Sequence, residues 1–276
     1  MNDGHASIAL AVGGSDSSGQ AGIQADLRTF AAFGVHGMCA LSALTVQDHA
    51  SVVRTEVMSP DLLRLQLETM MKTFAVRVVK TGMLVSADHI GVVASVLESR
   101  PNVFLVVDPV LESTSGTRLL DALGEQALKE QLIPMATVVT PNLPEAKRLL
   151  SESVLDDPAE ILLEFAQFVG KRSTIVLKGG HNPDPNQSCD RVRLPNGIQF
   201  NLDAPRIKTS ASRGSGCTFS SAIAAELALG KPVDEAIREA KVFITGALQH
   251  GLVLRSGRGP VQQMWRNGAA REQKRD

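Results

Sequence analysis

Residues 8–22 read IALAVGGSDSSGQAG, and a helical stretch that carries Asp26 follows directly. The first five residues form a short apolar run, typical of a buried strand, and the glycine-rich polar stretch after it is typical of a loop. A strand, a loop and a helix in this order are the repeating unit of an open α/β sheet. In such sheets ligands collect beyond the carboxyl ends of the strands, so residues 13–22 are the first candidate for a binding loop.

Two familiar phosphate-binding loops do not fit residues 13–22. Gly14 and Gly19 have the separation of the two P-loop glycines, but Gln20 stands where a P-loop needs lysine. The stretch also lacks the GxGxxG pattern of a dinucleotide-binding fold. We therefore expect the loop to hold a polar, uncharged substrate.

Short apolar runs alternate with amphipathic stretches along most of the 276 residues. This pattern predicts an α/β fold with a doubly wound, mostly parallel central sheet and helices on both faces. The predicted strands are residues 8–12, 38–45, 77–80, 103–107, 137–139 and 174–177, and the predicted helices include one after Ser59-Pro60, one at 219–229 and one at 233–251. Residues 189–202 alternate around Pro195-Asn196-Gly197, which predicts an antiparallel edge hairpin. We expect residues 1–276 to form a single domain, with a flexible tail at 266–276.

The composition favours a small molecule as the partner. With 28 basic and 29 acidic residues the net charge is −1, so the chain lacks the basic excess that nucleic acid or an anionic membrane attracts. No apolar run approaches the length of a membrane span, and the N-terminus lacks the features of a signal peptide. The spacings of Cys39, Cys189 and Cys217 match neither a disulfide framework nor a zinc site, so we expect a cytoplasmic protein.

Two further strand ends carry carboxylates. Asp108 precedes Pro109 at the end of one predicted strand, and either an Asx turn or a binding site explains it. Asn142 and Glu145 follow another strand with the spacing of a helix capping box. Alternatively, the oxygens of this second pair reach a hydrated Mg²⁺. Both interpretations stay open at each of the two strand ends.

Lysines end two more predicted strands. Lys178 precedes Gly179-Gly180, and Lys80 precedes Thr81-Gly82-Met83. Lys178 can be a solvated surface charge, but beside two glycines it is also well placed to pair with a phosphate. Polar signals at matching strand ends together indicate one binding site.

Gly214-Ser215-Gly216-Cys217 opens the apolar helix predicted at residues 219–229. Glycines let the backbone approach a ligand closely, and the unpaired amides of a first helical turn favour an anion, so the segment predicts a phosphate cradle. The helix dipole predicts a lowered pKa for the Cys217 thiol, which would make it a base for phosphoryl transfer. The alternatives are a small buried structural cysteine and the nucleophile of a cysteine hydrolase with a distant histidine.

Seven motifs follow one another in a specific order: GSDSSGQAGIQADLRTF (14–30), ALTVQ (43–47), KTGML (80–84), DPVLESTSG (108–116), TPNLPEA (140–146), KGGH (178–181) and GSGCT (214–218). In this order they resemble the hydroxymethylpyrimidine/phosphomethylpyrimidine kinases of thiamine biosynthesis, within the ribokinase-like superfamily. The resemblance implies a doubly wound fold, usually dimeric, that uses MgATP as phosphoryl donor. The implied acceptors are the hydroxymethyl group of 4-amino-5-hydroxymethyl-2-methylpyrimidine and then the resulting monophosphate.

The resemblance also implies roles for individual residues. The substrate site would be Gly14, Asp26, Gln47, Met83 and Val110; the ATP and phosphate site Lys178, Asn142, Glu145 and Arg213; the Mg²⁺ site Asp108 and Glu145; and the catalytic group Gly214, Ser215, Gly216 and Cys217. Most of the superfamily has aspartate in place of Cys217, whereas the thiamine branch has cysteine. Cys217 is therefore expected to be the base, or to orient the substrate hydroxyl.

Three residues depart from the family pattern. Arg213 stands where many relatives have histidine, Ser215 replaces threonine, and Glu112 occupies a position that is usually apolar or small. Glu112 would repel an acceptor that is already phosphorylated, and Arg213 would attract it. Two other functions compete with this interpretation: a pyridoxal or pyridoxine kinase, whose substrate is also a hydroxymethyl heteroaromatic, and a non-catalytic pyrimidine-binding protein with the same fold.

Overall fold

The computed structural model describes residues 6–48, 51–113, 116–151, 155–170, 172–181, 185–255 and 257–266. Within these ranges the strands are β1 (Ile8–Asp16), β2 (His36–Gln47), β3 (Val52–Val57), β4 (Val78–Thr81), β5 (Phe104–Val107), β6 (Val138–Val139), β7 (Thr174–Leu177), β8 (Gln187–Arg193) and β9 (Gln199–Pro205). The α-helices are α1 (Gly22–Ala32), α2 (Pro60–Thr73), α3 (Ala87–Glu98), α4 (Ala122–Ala127), α5 (Leu143–Leu149), α6 (Pro158–Val169), α7 (Ser215–Ala228) and α8 (Val233–Gln249). None of the helices in these ranges has the length and the apolar character that a membrane crossing requires.

The strands form one sheet in the order β3-β2-β1-β4-β5-β6-β7-β8-β9. The central strands, from β2 to β7 in this order, are parallel, whereas β3, β8 and β9 pair antiparallel with their neighbours at the two edges. The predicted α/β fold and its antiparallel hairpin are confirmed. Because the central strands are parallel, the loops that follow them meet at one end of the sheet.

Two strands differ from the sequence prediction. The prediction ends β1 at Val12, but the strand continues to Asp16, since the chain resumes its pairing with β2 after a bulge at Gly13/Gly14. The prediction omits β3 altogether. This strand reads VVRTEV and exposes four of its six residues at the sheet edge, so it has no buried apolar face that would mark it in the sequence.

Each face of the sheet carries a layer of helices. On β1, Leu10 and Val12 pack against the layer of α2 to α6, whereas Ala9 and Ala11 pack against α1, α7 and α8. α7 is buried on all sides from Thr218 onward, because the small side chains on both surfaces let it lie close to the sheet. This position brings the N-terminus of α7 to the carboxyl ends of the central strands.

Helix boundaries follow local signals. Ser59 caps α2, where its Oγ accepts a hydrogen bond from Leu62 N at 3.2 Å, and Pro60 takes the first helical position. α7 and α8 confirm the two helices predicted late in the chain. Arg266, which the prediction places in the flexible tail, ends a 3-10 turn instead, and residues 267–276 of that tail lie outside the described residues.

Candidate active site

A cavity of about 890 Å³ lies at the carboxyl ends of the parallel strands. Every residue proposed from the sequence lines it: Gly14, Asp26, Gln47, Met83, Asp108, Val110, Asn142, Glu145, Lys178, Arg213, Gly214, Ser215, Gly216 and Cys217. The volume is that of a small-molecule site. The fold therefore brings the predicted residues together, and their individual roles stay predictions.

Asp16 shapes the loop between β1 and α1. Its carboxylate accepts four hydrogen bonds, from Ser18 N and Oγ at 2.8 Å each, from Gln20 N at 3.1 Å and from Ala21 N at 2.8 Å. Much of the polar character of the loop thus serves the loop's own shape. At Gly14 the loop presents backbone to the cavity.

The first turn of α7 packs against this loop. Gly214 has φ +74°, and a Cβ there would overlap the carbonyl oxygen of Gln20, so both conformation and contact require glycine. Two residues on, a Cβ at Gly216 would lie 3.5 Å from Lys178 Nζ and 3.8 Å from Asp108 Oδ2. The amides of this turn, which have no partner within the helix, therefore open onto the cavity beside a cation.

Asp26 and Lys80 form a buried ion pair in the cavity wall. Lys80 Nζ and Ser221 Oγ both donate to Asp26 Oδ1 at 2.8 Å, so one oxygen of this predicted substrate ligand already has protein partners. Burial raises the pKa of Asp26 against the effect of Lys80. Burial acts to lower the pKa of Lys80, but the nearby acidic groups, Asp26 first among them, together outweigh burial and raise that pKa. The sequence analysis counted Lys80 among the polar strand ends of one binding site but gave it no individual role.

The thiol of Cys217 lacks the lowered pKa that the helix dipole predicts. Burial raises the pKa of Cys217 to about 11, and the charges of Asp26 and Asp108 add to this effect, while Lys80 and the backbone amide of Gly22 oppose it. The prediction of a lowered pKa was wrong, because burial and two nearby carboxylates outweigh Lys80 and the Gly22 amide. At neutral pH Cys217 is an uncharged thiol among charged groups.

A second ion pair flanks the start of α7. Lys178 Nζ donates to Asp108 Oδ1 at 2.8 Å, and Ser220 Oγ donates to Asp108 Oδ2 at 3.2 Å. Burial acts to raise the pKa of Asp108, but Lys178 and Lys80 outweigh it, and the pKa is lowered. These contacts join Asp108 to the residue after β7 and to α7, which favours the binding-site interpretation over a local Asx turn.

Asn142 and Glu145 form the capping box that their spacing predicts. Glu145 N donates to Asn142 Oδ1, and Asn142 N donates to Glu145 Oε2, both at 2.8 Å. Both side chains also line the cavity, where Glu145 Oε2 lies 3.8 Å from Lys178 Nζ. Burial raises the pKa of Glu145 to about 7, against the effect of Lys178.

The carboxylates of Asp108 and Glu145 fit a hydrated Mg²⁺ better than a closed metal site. In the part of the chain that the structure describes, no three His, Cys, Asp or Glu side chains are grouped as metal ligands. Mg²⁺ typically takes one or two carboxylates and keeps waters and phosphate oxygens as its other ligands. Two cavity-lining carboxylates, both within 3.8 Å of Lys178 Nζ, match that donor set.

The three departures from the family pattern also lie at the cavity. Glu112 is ion-paired with Arg148, which pairs with Glu125 as well, so Glu112 repels an anion less than the sequence alone indicates. Arg213 lines the cavity, and its buried Nε has no hydrogen-bond partner within the described ranges. Ser215 begins α7 and lies in the cradle.

The cavity continues toward α8, beyond the predicted residues. This far part is lined by Ser188, Asp190, Ala204, Pro205, Arg206, Ile207, Thr209, Lys241, Ile244, Thr245 and Leu248. Sequence reasoning missed it because these residues do not follow the parallel strands, where ligands are expected. One signal was present: Lys241 is a charged residue on the otherwise apolar buried face of α8.

Comparison with known proteins identifies the family. A sequence model of the family described as phosphomethylpyrimidine kinase matches residues 16–262. The hydroxymethylpyrimidine/phosphomethylpyrimidine kinase of Haemophilus influenzae is 39% identical over 256 residues, which are 91% of this chain and 94% of that protein. The solved structure of the Staphylococcus aureus pyridoxal kinase in complex with AMP-PCP and pyridoxal has a TM-score of 0.85 at 32% identity and covers 96% of both chains. The phosphomethylpyrimidine kinase of Clostridium difficile has a TM-score of 0.75 at 33% identity and covers 87% of this chain and 99% of that one. The chain belongs to the phosphomethylpyrimidine kinase family.

Proposed function

We propose that this chain transfers a phosphoryl group from ATP to 4-amino-5-hydroxymethyl-2-methylpyrimidine, and a second one to the resulting monophosphate, in thiamine biosynthesis. The observation that carries the proposal is the convergence of the first turn of α7 with Lys178, Lys80 and Cys217 in one cavity. Phosphoryl transfer depends mainly on alignment and on the stabilisation of charge, which an amide cradle between two fixed cations supplies. Family membership supports the choice of acceptor.

The acceptor ring would lie between the β1–α1 loop and Met83. A Cβ at Gly14 would come within 2.9 Å of Met83 Sδ, so the glycine leaves room for Met83 to form one wall. Val110 adds apolar surface, and Gln47 and Asp26 supply an amide and a carboxylate for ring nitrogens and an amine. Apolar faces with a few polar groups suit a small heteroaromatic alcohol.

The migrating phosphoryl group would lie at the amides of residues 214–217. Lys178 and Lys80 flank this turn, and each is held by a carboxylate at 2.8 Å before any substrate binds. Fixed charges need little reorganisation during the reaction, which is how such a site lowers the barrier. With a pKa of about 11, Cys217 is mostly protonated, so it would act mainly by orienting the acceptor hydroxyl.

The donor would occupy the rest of the cavity. Its base would extend toward α8, where Ile244 and Leu248 offer apolar surface, and Asp108 and Glu145 would hold Mg²⁺ near its phosphates. Bound Mg²⁺ supplies positive charge that neutralises the phosphate oxygens. The AMP-PCP complex of the Staphylococcus aureus pyridoxal kinase supports ATP as the donor.

ADP release with three acceptors tests the proposal: the pyrimidine alcohol, its monophosphate and pyridoxal, each at matched concentrations. We expect the two pyrimidines to give the highest kcat/KM values. A clear preference for pyridoxal would contradict the assignment and favour the second candidate function, pyridoxal kinase, which the likeness to the Staphylococcus aureus enzyme supports. Binding of the pyrimidine without ADP release would instead indicate a non-catalytic binding protein.

We further propose that the chain acts as a cytoplasmic homodimer on a small molecule, without nucleic acid or membrane. Exposed apolar side chains support a dimer, among them Val53 on β3 and Leu65 on α2, which are 72% and 61% exposed. The three cysteines are free, which suits a reducing compartment. Light scattering after size exclusion should give twice the mass of one chain, and a monomer mass at micromolar concentration would refute the dimer.

A further inference from the structure

Asp190 and Lys241 form a buried ion pair that the proposed roles do not explain. Lys241 Nζ donates to Asp190 Oδ2 at 2.8 Å, and the two side chains are only 9% and 7% exposed. Both line the cavity, Asp190 from β8 and Lys241 from α8. Burial removes both charges from water, which costs free energy, and the attraction between the charges does little more than offset that cost. Such a pair therefore points to a task other than stability.

The second oxygen of Asp190 acts on the neighbouring strand end. Gly179 N, directly after Lys178, donates to Asp190 Oδ1 at 2.7 Å. A Cβ at Gly179 would overlap the backbone of Cys189, so β8 lies in direct contact with this residue. From the other side, Lys178 N donates to Pro141 O at 2.8 Å. The backbone that carries the Lys178 side chain is therefore fixed on both sides.

Lys241 is held in the far part of the cavity. Besides Asp190, its Nζ lies 3.3 Å from Ser188 Oγ and 3.4 Å from Ser188 O. One carboxylate thus contacts both the strand end that presents Lys178 and the ammonium group of Lys241. These two cations lie along the space that the donor nucleotide would fill.

We propose that Asp190 is a positioning residue for the phosphoryl donor. One oxygen holds the strand end of Lys178 and the other holds Lys241, so that two positive charges stay fixed along the space for ATP. Asp190 acts through these two partners and needs no contact with the nucleotide itself. The inference rests on the proposed function, because it requires ATP in this cavity.

Three variants test the inference. Asp190→Asn keeps the size of the side chain and an oxygen for Gly179 N but removes the charge that holds Lys241. Asp190→Ala removes both contacts, and Lys241→Gln removes the cation. We expect Asp190→Asn to raise both the Kd of MgATP, measured by calorimetry, and the KM for ATP about tenfold. Tenfold is about the contribution of one hydrogen bond to a charged group, here the bond between Asp190 and Lys241. The KM for the pyrimidine alcohol should change by less than about twofold, since the acceptor site is elsewhere in the cavity.

Glu226 and Lys231 provide the matched control. Their ion pair is 3.2 Å long, Glu226 is 3% exposed, and neither residue lines the cavity. Glu226→Gln should lower Tm without changing the Kd or the KM for ATP. If Asp190→Asn behaves in the same way, Asp190 is merely structural and the inference is wrong.

The outcomes separate this inference from the proposed function. Should Asp190→Ala fail to fold, Asp190→Asn and Lys241→Gln still give the two constants for ATP. A wild-type chain that binds ATP but releases no ADP would refute the proposed turnover, while the Kd values would still decide the role of Asp190. A wild-type chain that binds no ATP would refute both.

Discussion

At the scale of single residues, the site consists of two lysine–carboxylate pairs close to one thiol. Lys80 pairs with Asp26, and Lys178 pairs with Asp108, each at 2.8 Å. The carboxylates raise the pKa of both lysines against the opposing effect of burial, so both stay cationic throughout the physiological pH range. Cys217 lies among these charges and has no charge of its own at neutral pH, because its pKa is about 11.

Replacement of Cys217 tests its contact with the acceptor. We expect Cys217→Ala to lower kcat about a hundredfold, because a misplaced acceptor hydroxyl costs about that much, while the Kd of MgATP changes little. Cys39→Ala is the control, since Cys39 is a free thiol on β2 that does not line the cavity. Steady-state kinetics and calorimetry on both variants decide the matter. Wild-type turnover in Cys217→Ala would remove Cys217 from the mechanism.

The pH dependence of alkylation tests the raised pKa of Cys217. Thiolate is the reactive form, so a thiol with a pKa of about 11 should react with iodoacetamide slowly at pH 7. The rate should rise about tenfold for each pH unit up to pH 10, because the thiolate fraction does so below the pKa. Peptide mass spectrometry measures modification at this site, and the urea-unfolded chain, with an ordinary thiol pKa, is the control. A rate that levels off near pH 7 would show a thiolate and restore the prediction from the helix dipole.

At the scale of elements, α7 joins the core to the site. It is buried from Thr218 to Ala228 and contacts the centre of the sheet, so its N-terminus can move little relative to the strand ends. The turn that precedes it fits because Gly214 has a positive φ and lies against the carbonyl oxygen of Gln20. A rigid helix thus holds its first turn at the cavity.

Substitution of Gly214 should damage both stability and the cradle. The positive φ of +74° costs alanine about 1–2 kcal/mol in the free energy of unfolding, and the overlap with Gln20 adds to this. Gly230, beyond the other end of α7, is the matched control, because its φ is +90° but a Cβ there would meet only the Arg77 guanidinium, at 3.6 Å. Gly214→Ala should lose more stability in urea unfolding than Gly230→Ala, and it alone should weaken MgATP binding. Equal losses with unchanged ATP binding in both variants would contradict the account of the cradle.

The elements that could be predicted from the sequence are those with a strong local signal. The buried runs of the central sheet, the capped start of α2 and the apolar helix after Gly216 each carry their own pattern. β3 could not be predicted in this way, because this exposed strand is stabilised by pairing with β2 and not by burial of an apolar face. Its existence depends on a neighbour, which local patterns do not record.

At the scale of the whole molecule, the parallel topology explains why so much of the site could be predicted. Parallel strands bring all their carboxyl ends to one side, so residues chosen for following a strand come together in the cavity. Their partners could not be foreseen in the same way. Lys80 lies 54 positions from Asp26, and Asp190 lies 51 positions from Lys241, so these contacts exist only once the sheet order and the helix layers are set.

The unfolding of the chain tests the prediction of a single domain. Trp265, the one tryptophan of the sequence, donates through its indole Nε1 to Phe243 O at 3.1 Å and stacks on His250, so its fluorescence reports the docking of the C-terminal segment on α8. Far-UV circular dichroism reports all the helices. A single cooperative domain requires the same urea midpoint from both probes, and Trp265→Phe supplies the fluorescence baseline. Since the described strands form one sheet and α8 packs against it, we expect the two curves to superimpose. A lower midpoint by fluorescence would show that the C-terminal segment and α8 unfold as a separate unit, and the single-domain prediction would be wrong.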